Sequence, residues 1–283
     1  MTDYPPATWR LLITPPTDGA TNMAVDEAIL FAQAEGAGCP TLRFYRWGPP
    51  CLSLGYNEPC ADVDEAACNR LGYTWVRRPT GGRAILHTDE LTYSVVASAE
   101  EPRVTGGIVE SYRRLSTGLL TGLRALGADV FQAQTEKVVN PDQGAACFDT
   151  PSNYEITVSG KKLVGSAQVR RRGMVLQHGT LPLVGDLTRI FDCLRRTGSP
   201  LPDSNLPPDV DHRRVDLLAR ACTLEWVLGR EVPFDEVADA LTQGFASALK
   251  LQLEPGQLSD YERSLVERLR DEQYANDDWN RRI

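Results

Sequence analysis

Residues 154–183 read YEITVSGKKLVGSAQVRRRGMVLQHGTLPL, and this stretch decides the fold. Three strand-like runs, Tyr154–Val158, Lys161–Val169 and Met174–Leu183, are separated by the tight pairs Ser159-Gly160 and Arg172-Gly173. Two-residue turns containing glycine join antiparallel neighbours, so the stretch reads as a meander. Just upstream, residues 132–153 are polar and small, an irregular segment of the length that often carries function inside a compact domain. Before that, Thr105–Leu126 has the spacing of a long amphipathic helix ended by Gly127. Toward the N-terminus, Thr8–Ile13, Thr41–Arg46, Cys51–Leu54, Tyr73–Arg78 and Leu91–Ala97 read as strands. Thr21–Glu35 reads as a helix with Met23, Ala24, Ala28 and Phe31 on one face, and a short helix runs from Asp62 to Gly72. Downstream, Asp186 caps a helix to about Arg196, and four prolines between Thr197 and Asp211 mark an excursion. Arg214–Leu228, Phe234–Lys250 and Ser259–Tyr274 then read as helices.

This order implies an α+β fold: a mixed or antiparallel sheet core with flanking helices, plus a helical C-terminal segment. Residues 1–200 are expected to form the core and 201–283 the segment packed on it, one structural domain overall. A chain of 283 residues is long enough for one large core with a small appendage. No stretch of 18 or more apolar residues is present, so no membrane span is expected. Met1–Pro6 has no basic region followed by an apolar run, which argues against a secretory signal. Seven cysteines without a C-x-x-C pair, and only three histidines, argue against a zinc site or disulfide framework and for reduced thiols in a cytoplasmic protein. A net charge of -8 argues against nucleic acid as a partner. Lysine occurs at only four positions, 137, 161, 162 and 250, so the adjacent pair stands out against an arginine background.

Three clusters offer chemistry. In Arg77-Arg78-Pro79-Thr80-Gly81-Gly82-Arg83-Ala84-Ile85-Leu86-His87, adjacent glycines let the backbone approach a ligand, and flanking arginines offer forked donors. A plain Gly-Gly loop with solvated arginines is the alternative; the spacing is neither a P-loop nor G-x-G-x-x-G. In Gly160-Lys161-Lys162-Leu163-Val164-Gly165-Ser166-Ala167, the two lysines point to opposite faces of a strand. One of them would face the interior, where an ammonium needs a partner, and the small residues beside it leave room for a ligand. An ordinary hairpin with two exposed lysines is the alternative. Cys147 lies among small residues in the long loop, where a nearby cation such as Lys162 would lower its pKa; an incidental thiol is the alternative. In Gln177-His178-Gly179-Thr180, His178 is either a base or a hydrogen-bonded structural histidine. Arg113-Arg114 and Arg170–Arg172 are candidate docking cations for acidic partners.

Taken in order, these clusters resemble the lipoate–protein ligase and octanoyltransferase family over about residues 8–280. The likeness is carried by Asn22-Met23-Ala24-Val25-Asp26-Glu27, Arg43–Leu54, R-R-P-T-G-G-R-A-I-L-H, G-K-K-L-V-G-S-A-Q and Q-H-G-T. It implies the core shared with biotin protein ligases, with Lys162 at the acyl carbonyl. It also implies an acyl site lined by Arg77, Thr80, Gly81, Gly82, Arg83, His87, Gly165, Ser166, His178, Gly179 and Thr180. Within the family, ligases tend to carry a third glycine followed by H-D-x-G-N. Here Arg83 stands in its place, and His87-Thr88-Asp89-Glu90-Leu91-Thr92-Tyr93 follows. With Ala146-Cys147-Phe148 and the ending Tyr274–Asn280, the chain is most similar to the cysteine-dependent octanoyltransferases. That implies transfer of octanoyl from octanoyl-acyl carrier protein to a lysine of an apo lipoyl-carrier protein, such as the glycine-cleavage H protein, in lipoate biosynthesis. The route would run through an acyl-Cys147 thioester, in a monomer that uses neither metal nor cofactor. An ATP-dependent lipoate–protein ligase, an octanoyl amidotransferase between lipoyl proteins and a non-catalytic acyl-carrier-binding protein stay open. A biotin ligase is disfavoured by the missing G-R-G-R-x-G loop.

Overall fold

In chain order the backbone forms β1 (Ala7–Ile13), α1 (Gly19–Ala34), β2 (Thr41–Tyr45), β3 (Cys51–Leu54), α2 (Glu65–Leu71), β4 (Thr74–Arg77), β5 (Ile85–His87), β6 (Glu90–Ser98), α3 (Ile108–Ala125), β7 (Phe131–Gln132), β8 (Ile156–Val158), β9 (Lys161–Arg171) and β10 (Met174–Pro182). α4 (His212–Arg220), α5 (Leu224–Leu228), α6 (Phe234–Leu249), β11 (Leu251–Pro255), α7 (Asp260–Leu269) and α8 (Asp277–Asn280) follow. These elements come from a computed structural model that describes residues 4–133, 155–195 and 211–283.

The meander forms where its glycines allow it. Ser159 and Gly160 turn β8 into β9 with φ of 49° and 78°, and Arg172 and Gly173 turn β9 into β10 with φ of 52° and 75°. Left-handed pairs of this kind match the twist of the strands they join. The meander continues into a mixed eight-stranded sheet ordered β11-β1-β2-β6-β10-β9-β8-β7. β1 runs parallel to both β11 and β2, and the remaining pairs are antiparallel. A separate three-stranded sheet, β4-β3-β5, sits beside it.

Alternation along β6 shows how the sheet is covered. Leu91, Tyr93, Val95 and Ala97 face the core that holds Leu115, Leu119 and Leu123 of α3 and Leu241 and Phe245 of α6. Val96 faces the other way, into the core formed with Met23, Ala28 and Ile29 of α1 and Leu265 of α7. A period of two puts Thr92 and Ser94 on that same α1 side, and both are buried. The α+β class therefore holds, with helices on both faces of a mixed sheet.

Several elements differ from their sequence reading. Ile85–His87, given no element in the sequence reading, is a strand of the small sheet. Leu251–Pro255, read between helices, is an edge strand parallel to β1, so the C-terminal segment is not purely helical. Five residues show too little alternation to announce a strand. The run from Asp186 forms only a 3-10 turn over Leu187–Asp192. Arg214–Leu228 splits into α4 and α5 because Ala221 bridges Lys162 and the Cys222 N–H donates to the Lys162 carbonyl at 3.0 Å. That pairing pulls the chain into an extended conformation beside the meander.

Candidate active site

A cavity of about 530 Å³ opens between the meander, α1, the first turn of α3 and the loop that follows β4. Met23, Tyr45, Trp47, Ile85 and Tyr112 give it apolar and aromatic walls, and the half-exposed Ile108 and Val109 lie at its rim. Its size and lining suit a small ligand with an apolar body.

Lys162 lines this cavity while Lys161 points away. The Lys161 ammonium donates to the Leu218 carbonyl at 2.5 Å and lies 5.0 Å from the Trp226 ring centre. Lys162 Nζ is 2.5 Å from Glu155 Oε1, and the two side chains are 5% and 2% exposed. A bulge aims the lysine. Ile156 pairs with Val164 and Thr157 with Lys162, which leaves Leu163 as the extra residue. A bulge of this kind bends the strand and redirects the side chains around it.

Gly81, Gly82, Arg83, His87, Gly165, Ser166, His178, Gly179 and Thr180 also line the cavity. Thr80 stands behind the wall and reaches it through His178, with Oγ1 2.6 Å from Nε2. Arg77 does not belong to the site. It ends β4 and Arg78 follows it, and successive side chains of an extended chain leave opposite faces. Arg77 is fully buried, donating to the carbonyls of Gly55 at 2.9 Å, Glu58 at 2.6 Å and Asn280 at 2.9 Å. Arg78 is the one that shapes the loop. Its guanidinium holds the Ser53 carbonyl at 3.0 Å and the Gly81 and Arg83 carbonyls at 2.8 Å each. Gly82 has φ of +91°, and a Cβ there would lie 2.9 Å from Arg78 Nη2, so the loop needs glycine at that position.

Both cavity histidines are fully engaged. His87 meets Glu90 Oε1 at 2.7 Å and Ser53 Oγ at 2.8 Å, and stacks on Trp47 with 3.9 Å between ring centres. His178 Nδ1 is 3.3 Å from Asp26 Oδ2. Asp26 also accepts from Arg43 Nη1 at 2.8 Å, Tyr45 Oη at 3.0 Å and Ser94 Oγ at 2.8 Å. Burial pulls the Asp26 carboxyl upward, but Arg43 and His178 together hold it below the usual carboxylate value. Burial pushes His178 below its ordinary value, against the pull of Asp26. A neutral ring beside a carboxylate carries its proton on Nδ1, so the Thr80 hydroxyl donates to Nε2.

Other groups complete the lining. Ser166 Oγ is 2.7 Å from the Tyr93 hydroxyl. Among the described residues, the buried Thr180 hydroxyl and the Nη1 of Arg83 have no hydrogen-bond partner, and both residues line the cavity. The expected docking cations are largely occupied within the chain. Arg170 donates to the Val104 carbonyl at 2.9 Å, Arg171 pairs with the buried Glu27, and Arg114 donates to the Thr105 carbonyl at 2.5 Å. Cys147 lies outside the described residues. None of the six described cysteines lines the cavity, and burial pushes Cys51 and Cys222 up to about 12 and about 11. Among the described residues no cluster of His, Cys, Asp and Glu is arranged to hold a metal.

Sequence reasoning passed over Asp26, Arg78 and Glu155 as site residues. Asp26 and Glu27 do leave a signal, an acidic pair on a helix that is otherwise apolar nearly all round. Glu155 leaves none, being one acidic residue at the head of a strand.

Comparisons with known proteins follow the same outline. Residues 18–246 match the family described as lipoyl protein ligase A/B catalytic domain. An octanoyltransferase LipM from Kyrpidia tusciae is 45% identical over 280 residues, covering 97% of this chain and 99% of that protein. The octanoyltransferase LipM of Bacillus subtilis is 37% identical, covering 96% of this chain and 98% of its own. Among solved structures, lipoate-protein ligase A bound with ATP has a TM-score of 0.77 at 26% identity, covering 97% of this chain and 98% of that one. A putative lipoate protein ligase from T. acidophilum with bound lipoic acid has a TM-score of 0.76 at 26% identity, covering 99% and 100%.

Proposed function

The chain belongs to the lipoyl protein ligase A/B catalytic-domain family and is an acyltransferase, and we propose that it carries an octanoyl group from acyl carrier protein to a lysine of a lipoyl-carrier protein. The observation that carries this reading is an apolar cavity into which a single lysine, Lys162, projects among the described residues. The octanoyl chain lies along Met23, Tyr45, Ile108, Val109 and Tyr112, and its thioester carbonyl points to Lys162. The Cys147 thiolate attacks that carbonyl, the carrier thiol leaves, and an acyl-enzyme remains. The Lys162 ammonium stabilises the oxyanion as it forms, and the Gly81–Gly82 backbone closes over the chain. The acceptor amine then attacks the acyl-enzyme, the amide forms and Cys147 is released. Thioester to amide runs downhill, so this route needs no nucleotide.

The support for giving Cys147 the nucleophile's part is the Ala146-Cys147-Phe148 segment, which resembles that of the cysteine-dependent octanoyltransferases. The test is a matrix of donors and acceptors with the wild type and Cys147→Ala, read by intact mass. Octanoyl on the wild-type enzyme, missing from Cys147→Ala together with transfer, supports the reading. Full activity of Cys147→Ala overturns it.

The likeness to lipoate-protein ligase A bound with ATP favours a second reading, activation of free lipoate by ATP. Arg83, standing where ligases tend to carry a third glycine, counts against it. Product from free lipoate and ATP alone would decide for the ligase.

A further inference from the structure

We propose that Glu155 is the general base that takes a proton from the acceptor lysine. This rests on the acyl-transfer reading above and adds the step that reading leaves without a residue. An ε-ammonium has no lone pair, so it must lose a proton before it can attack a thioester. Inside a cavity with apolar walls, a group on the protein has to accept that proton.

The candidates are few. Among the described residues, Glu155 is the only carboxylate on the cavity wall. His87 has both ring nitrogens committed, to Glu90 and Ser53. His178 has both committed, to Asp26 and Thr80. The Tyr45 hydroxyl donates to Asp26, and the neighbouring lysine and arginines carry positive charge. Glu155 also stands in the right place. Its Oε1 is 2.5 Å from Lys162 Nζ, the group that marks the acyl carbonyl in the proposed reaction. An amine attacking that carbonyl arrives within reach of the carboxylate, and as an ammonium it is drawn there by charge.

The proton balance closes. The acceptor R–NH3+ gives one proton to Glu155 and becomes R–NH2. Its lone pair forms the C–N bond, and the C–S bond to Cys147 breaks with its electron pair on sulfur. The nitrogen's second surplus proton goes to that thiolate, giving the free thiol. Glu155 then returns its proton to solvent.

E155Q tests this, because glutamine still accepts a hydrogen bond from Lys162 but does not take up a proton. Transfer from octanoyl-acyl carrier protein is measured to apo lipoyl-carrier protein and, separately, to hydroxylamine, an amine already neutral at the assay pH. Transfer to the protein lysine should fall about 100-fold or more, while hydroxylamine product should stay within about threefold of wild type. Lysine transfer by E155Q should also recover as pH rises. An equal loss with both acceptors would make Glu155 a support for Lys162 and overturn the proposal, as would no loss with lysine. The enzyme-free rate with hydroxylamine is subtracted, and a thermal melt checks that E155Q is folded. Should wild type show no octanoyl on Cys147, the acyl-enzyme reading fails alone, since the acceptor comparison still reports the base.

Discussion

His178 Nε2 and Thr80 Oγ1 lie 2.6 Å apart, and this contact joins the two sheets. His178 sits on β10 of the large sheet, and Thr80 follows β4 of the small one. The other side of the ring meets Asp26 on α1. A chain of polar contacts thus runs from the glycine loop through one imidazole to a buried carboxylate.

If that chain seats the loop, Thr80→Val should cost about 1–3 kcal/mol, because it leaves a buried ring nitrogen without its donor. Urea unfolding reads the loss. Thr80→Ser should restore most of it and bring KM for the octanoyl donor back toward wild type. A Thr80→Val protein with unchanged stability and KM would mean the contact does not matter.

The same ring predicts a pH dependence. Burial lowers the folded-state pKa of His178, so the unfolded chain takes up a proton first as pH falls. The stability linked to this group is complete above the unfolded value of about 6.5, and is lost as pH drops from there through the folded value. Between pH 7 and pH 5, wild type should lose urea stability and His178→Gln should lose less. Parallel curves for the two proteins would refute the linkage.

Two cavity glycines should respond oppositely to alanine. A Cβ on Gly179 would meet Ser166 Oγ at 2.3 Å and the Gly165 carbonyl oxygen at 2.6 Å, whereas one on Gly81 meets nothing within 4 Å. Gly179→Ala should destabilise by about 1–3 kcal/mol, since the meander backbone has to shift. Gly81→Ala should leave the melting temperature close to wild type. Similar melting temperatures for both variants would contradict this geometry.

Arg77 and Arg83 separate structure from site. Arg77→Met removes a buried guanidinium from several carbonyls and should cost on the order of 3 kcal/mol. Arg83 lines the cavity, so Arg83→Ala should keep its melting temperature and raise donor KM roughly tenfold. Thermal melts and initial rates together check the pair. A stable Arg77→Met protein with a raised KM would return Arg77 to the acyl site.

The meander was legible because a two-residue turn needs glycine and a half-buried strand needs alternation, and both are local rules. The long α3 was legible for the same reason, through its spacing and Gly127. β5 and β11 were not, because three and five residues hold too few alternations to count. The break between α4 and α5 was hidden because it depends on a bridge to Lys162, some sixty positions away in the chain.

By itself, the sequence determined the α+β class, the antiparallel meander and the opposite facing of Lys161 and Lys162. Each follows from spacing along the chain. Only the tertiary structure decided that Arg78 rather than Arg77 shapes the loop, that Asp26 anchors His178, and that Glu155 answers Lys162. The physical reason is burial. A charged side chain out of water must find its partner through space, and nothing in the local pattern says which distant residue that is.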